Sequence, residues 1–235
     1  MISFKTVKIT AVLPQKPAGV VIKTLEQYGF YDIYLQEGRH PVLGKGNNIA
    51  NFFTGKQSLF SALVKIINIY VPAKFEDDVL TIIAEKGRLY SPGQGSVYSE
   101  PCHQYGEFIS IDKSITRFSP TRSFVFGDDL VGISCIVQRG EADPLARAIL
   151  QAGLGSPNIH FGTGTGLREK IGLLRITIPA AKEILTVVVS RWDQSRVIDM
   201  LIAVGRLHLP GRGFIRGCCQ FKFCLKNVGK LKSLF

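Results

Sequence analysis

The sequence predicts an α+β protein made of two tandem βαββαβ units, each an antiparallel sheet with its helices on one face. Three observations carry this. A nine-residue segment recurs, GRLYSPGQG at 87–95 and GRLHLPGRG at 205–213, with six of nine positions identical at an offset of 118. The same offset places IINIYV (66–71) on ILTVVV (184–189), and Val79, Leu80 and Ile83 on Val197, Ile198 and Leu201. Nearer the start of each copy the offset becomes 124, so that VKITAV (7–12) falls on VGISCI (131–136) and Gly29 on Gly153. The difference of six assigns a loop of variable length between the two registers. Repetition of this kind marks a duplicated structural unit.

Each copy reads as the same order of elements. Val7, Ile9, Ala11 and Leu13 alternate with Lys8, Thr10 and Val12, the period of a half-buried strand. A helix follows, clearest in the second copy. There Asp143 suits the cap and Pro144 the first helical position, and Leu145, Ala148, Ile149 and Ala152 form an apolar stripe before Gly153. The second strand covers Tyr31–Leu35 and Asn158–Phe161, the variable loop comes next, and a β-branched third strand completes the pair. Second helices are expected from Asp77 to Lys86 and from Gln194 to Val204, with Asp193 as cap and Gly205 as left-handed terminator. The last strands begin at Ser96 and Phe214. This order is that of the ferredoxin-like split βαβ unit. The expected domains are 1–112 and 123–235, joined by an irregular segment near 110–122. With two helices per unit, one sheet face is left to be covered by another unit, which implies oligomers.

Composition narrows the classes. Of 235 residues, 46% are hydrophobic and 20% charged, a globular balance, and no run reaches the roughly 20 apolar residues of a membrane helix. The start alternates like a strand and lacks the pattern of a signal peptide. Five cysteines, an odd number in a chain able to build its own core, fit a reducing cytoplasm. Net charge is +11, and no acidic residue occurs from Met200 to the end, where seven Lys and Arg residues lie. Such a field favours phosphates, an acidic protein face or nucleic acid.

With GRLYSPGQG and GRLHLPGRG between a helix and a strand, and Gly38-Arg39-His40 opening the long loop of the first copy, the chain resembles the PII nitrogen-regulatory signalling superfamily. The stretch 162–183 with PGRGFI (210–215) looks closer still to PII-like proteins. The resemblance implies a non-catalytic cytoplasmic regulator, assembled as a trimer, that holds a small anionic ligand such as an adenine nucleotide over the glycine turn and acts on a protein partner through loops. Departures bear on the chemistry. The family's phosphate-binding lysine is Ser96 in one copy and Phe214 in the other, its metal-binding glutamine is His40, and residues 37–65 contain no tyrosine for uridylylation.

Candidate ligand residues follow. Gly211 and Gly213 with Arg206, Arg212 and Arg216 form the stronger anion site, because Gly-x-Gly lets backbone N–H groups approach an anion and arginine grips its oxygens. Gly93, Gly95 and Arg88 form the weaker equivalent, and Gly38 and Arg39 the loop contribution. Gly162, Gly164 and Gly166 are read as a loop that orders on binding. Cys218, Cys219, Cys224 and His208 match no zinc spacing, and Asp128-Asp129 is read as a turn. The alternative function is a basic nucleic-acid-binding module, for which the third strands offer only Tyr70 as a stacking residue.

Overall fold

The computed structural model describes residues 3–45, 57–91, 93–105, 118–164 and 181–225. The centre of the joining segment, the tip of the variable loop, Pro92, most of the glycine-rich stretch 162–183 and the last ten residues lie outside the described residues. The protein is α+β, with an all-antiparallel pattern among the strand pairs given below. Its strands are β1 (Ser3–Pro14), β2 (Ile33–Lys45), β3 (Gln57–Pro72), β4 (Ser96–Tyr105), β5 (Val125–Gln138), β6 (Asn158–Thr163), β7 (Ala181–Ser190) and β8 (Gly213–Leu225). Its helices are α1 (Gln15–Gln27), α2 (Glu76–Lys86), α3 (Ala142–Gln151) and α4 (Gln194–Gly205).

Two compact units are present. Unit 1 holds residues 1–37, 63–130 and 219–235, and unit 2 holds 38–62 and 131–218. The expected division was linear, at 112 and 123. Instead each unit takes a strand segment from the other half of the sequence: 38–62 completes unit 2 and 219–225 completes unit 1. Backbone pairing is the physical reason. Gly38 and Arg39 register with His160 and Ile159 of β6, while Phe223 and Lys222 register with Tyr98 and Ser99 of β4.

Within unit 1 the strand order is β2-β3-β1-β4-β8. Ile9 of β1 sits opposite Ile69 on one side and Ser99 on the other. The alternation read from the sequence has a direct outcome: Val7, Ile9, Ala11 and Leu13 pack with Val21, Leu25, Leu80 and Ile83 of the two helices. The opposite face of β1 is closed as well. Thr10 and Val12 are buried there, the Thr10 hydroxyl donates to Asn68 Oδ1 at 3.1 Å, and Asn68 Nδ2 donates to Gln36 Oε1 at 3.2 Å. In unit 2 the strand order is β2-β6-β7-β5-β8, in which β6-β7-β5-β8 repeats β2-β3-β1-β4, with Val131, Ile133, Cys135 and Val137 packed on Leu145, Ile149, Val197 and Leu201. Burial pushes the Cys135 thiol up to about 11. Asp128 and Asp129 lie inside β5 and not in a turn, because the strand begins at Val125.

All four helices end the same way, with one difference that matters later. After α1, Gly29 takes φ 82° and donates to Glu26 O, while Phe30 N–H reaches back to Leu25 O. After α3, Gly153 and Leu154 do the same with Leu150 O and Ile149 O. These paired bonds are a Schellman ending, whose left-handed residue is usually glycine. After α2 and α4 the left-handed residue is arginine: Arg88 at φ 57° and Arg206 at φ 51°. Gly205 therefore does not terminate α4 as expected, and Gly87 does not terminate α2. Close packing explains glycine at 87, where a Cβ would come within 2.5 Å of the Ile83 carbonyl oxygen. At Gly205 it would meet Leu207 at 3.1 Å.

Candidate functional site

The second glycine turn connects α4 to β8. Past the left-handed Arg206, Leu207 N–H bonds Ile202 O at 3.1 Å and Leu209 N–H bonds Arg206 O at 3.0 Å, so the turn is held by its own backbone. Gly211 has φ 77°. Gly213 has φ 142°, and a Cβ there would fall well inside 3.0 Å of the Ile136 carbonyl oxygen. The first turn repeats this: Gly93 (φ 76°) is open and Gly95 (φ 101°) abuts Val12 O. The second glycine of each pair is thus required by packing on the first strand of its unit. Gly93, by contrast, has open space beside it.

The three arginines of the second turn differ in availability. Arg212 Nη1 donates to Glu141 Oε1 at 2.7 Å, and Gln138 Nε2 donates to Gly211 O at 3.0 Å. Arg212 therefore braces the turn against the residues that precede α3. Arg206 and Arg216 are exposed and make no ion pair among the described residues. At the first turn Arg88 is exposed as well, and Arg122 lies over the ring of the neighbouring Tyr90, 4.3 Å from its centroid.

Gly38 and Arg39 have a different setting from the one expected. They stand within β2, which continues through Lys45, and do not open a loop. Arg39 Nη1 pairs with Asp143, and Nη2 donates to Glu183 Oε1 at 3.1 Å. Burial works against the arginine charge, but hydrogen bonds and charge from the two carboxylates outweigh it and raise the Arg39 pKa. Glu183, 3% exposed, also accepts from Gly140 N–H at 3.0 Å and Ala142 N–H at 3.1 Å through its other oxygen. It satisfies donors at the start of α3, the role expected of Asp143, which instead lies inside the helix with its carboxylate on Arg39. Asp193 occupies the cap position of α4 but makes no side-chain cap bond. No sequence signal near residue 39 announces partners at 143 and 183.

His40, where the resemblance placed a glutamine, is engaged by Asn158 Oδ1 at 2.8 Å and Ser156 Oγ at 3.1 Å. Among the described residues no group of three His, Cys, Asp or Glu side chains is placed to hold a metal, and no helix is long and apolar enough to cross a membrane. Arg206, Gly211, Arg212, Gly213 and Arg216 all lie on the segment 206–216, which joins α4 to β8 and enters it.

Neither protein-family models nor curated proteins match the chain. Among solved structures, GlnK of B. subtilis in its ATP complex is similar over 42% of this chain and 84% of its own, at 17% identity and a TM-score of 0.35. That likeness is too slight to carry a ligand or an assembly from one protein to the other.

Proposed function

We propose that the chain is a non-catalytic, PII-like regulator built from two ferredoxin-like units, and that its second glycine turn binds a small anion, with an adenine nucleotide as the candidate. The observation that carries the reading is the left-handed Arg206. A Cβ-bearing residue in that conformation costs roughly 1–2 kcal/mol, and α1 and α3 avoid the cost with glycine at the same position. An arginine kept at a strained position fits a task for its side chain, and the strain is its motive. Arg206 and Arg216 supply the charge, Arg212 holds the turn through Glu141, and Gly211, with its left-handed φ of 77°, turns the backbone beside them. Arg88 and Gly93 form the lesser copy of this arrangement.

The ligand would bias the segments beside the turn toward a form that a protein target recognises. Three chains, supplying six units, are the proposed assembly. Native mass spectrometry of gently purified protein tests ligand and assembly together. A three-chain complex carrying nucleotide mass is expected, and Arg206→Gly should lose that mass while remaining at least as stable, since glycine relieves the strain. One charge-assisted hydrogen bond is worth roughly 1.5–3 kcal/mol, so affinity should fall about tenfold or more. Unchanged occupancy in Arg206→Gly would reduce the turn to a structural role.

A further inference from the structure

The two units close their helical layers differently. In unit 1, Phe118 enters the core, 9% exposed, where α1 and α2 end. Its ring stands edge-on to Tyr28, with centroids 5.6 Å apart, and Lys86 Nζ lies 5.5 Å from its centroid. Thr121 N–H, three residues on, donates to Glu85 Oε2 at 2.7 Å. Tyr28 is the C-cap of α1 and Lys86 the last residue of α2, so an irregular stretch of chain plugs this corner with an aromatic side chain. Phe30 and Phe75 add further rings to the same core. Among the described residues, the core of unit 2 contains no aromatic residue.

The repeat offsets identify the matching corner of unit 2. Tyr28 becomes Ala152, Glu85 becomes Ala203 and Lys86 becomes Val204. Ala152 is again the C-cap of its helix. Val204 is 42% exposed, and Ile202 is 37% exposed where its counterpart Ala84 is fully buried. Every change makes the corner smaller or more apolar, which suits a ring inserted from outside. Arg206 follows two residues later, and no acidic residue lies between Met200 and the end.

The geometry points to this corner as a docking surface for an acidic partner segment that inserts an aromatic side chain between the ends of α3 and α4, as Phe118 does in unit 1. Phe118 supplies the template for the ring, and buried aromatic anchors dominate interfaces of this kind. Charge supplies the rest. Arg206, with no acidic residue after it in the sequence, attracts acidic flanks. Insertion of the ring does not depend on nucleotide binding, because Ala152, Ala203 and Val204 lie at helix ends outside the glycine turn, and Arg206 alone is shared.

The test uses the full chain and a fluorescein-labelled acidic peptide with one central phenylalanine, EDESFSEDE, followed by anisotropy at physiological ionic strength so that loose charge attraction is screened. Wild type should bind it, and replacing the phenylalanine with alanine should weaken binding at least about tenfold. Val204→Glu and Ala203→Glu, both at exposed positions, should weaken it as much. Val20→Glu, at a valine 52% exposed on α1, should leave it unchanged. No binding below millimolar peptide, equal binding of the alanine peptide, or equal loss in Val20→Glu would overturn the proposal.

Discussion

Gly213→Ala should unfold the protein or cost more than about 4 kcal/mol, a loss reserved for substitutions with a specific steric or electrostatic cause. The cause here is a backbone atom. A Cβ at 213 would collide with the Ile136 carbonyl oxygen of β5, and a carbonyl within a paired strand cannot swing aside as a side chain can. The residue's φ of 142° adds a conformation that side chains avoid. Gly95→Ala should behave alike, because the Val12 carbonyl occupies the same place in unit 1. Gly93→Ala offers the contrast. Its left-handed φ makes alanine unfavourable by roughly 1–2 kcal/mol, but no atom lies within 4 Å of the added carbon. Urea denaturation of the three variants separates the cases. Similar small losses at 95 and 93 would show that the turn does not press on β1.

Arg39→Ala should cost about 3–5 kcal/mol, the usual consequence of removing one partner of a buried ion pair. Glu183 is 3% exposed and keeps its two backbone donors in the variant, but it loses the cation that balances its charge. Asp143, half-exposed, can turn to water and adds little. Arg39→Lys should recover only part of the loss, since lysine offers a point charge where the guanidinium spans two carboxylates. The effect should appear as a lower denaturation midpoint with an unchanged slope. A loss below about 1 kcal/mol would place this pair among ordinary surface salt bridges.

These residues also show what was legible in the sequence. The period-two pattern of residues 7–13 places Val7, Ile9, Ala11 and Leu13 in the core because a strand has only two faces and one meets the helices. The repeat itself was visible because packing demands survive duplication: the second glycine of each turn meets the same strand carbonyl in both units. The extent of β2 was not legible. Pro41 and Gly38 read as loop, since proline removes a ladder donor, yet β2 runs through both to Lys45 and pairs with β6 at Gly38 and Arg39. The left-handed arginines were hidden for a similar reason. Glycine is the favoured residue at that helix ending, and the adjacent Gly205 drew the assignment in the second copy, although close contact is what keeps it glycine. Capping of α3 by Glu183 was equally silent, because its donors lie some forty residues earlier.

Amide chemical shifts under ATP titration test the anion-binding claim most directly, because they locate the ligand as well as detect it. The amides of Arg206, Gly211 and Gly213 should move together and saturably, with smaller movement at Arg88, Gly93 and Gly95. Shifts confined to other segments, or none up to millimolar ATP, would contradict the claim and leave the glycines as parts of a turn.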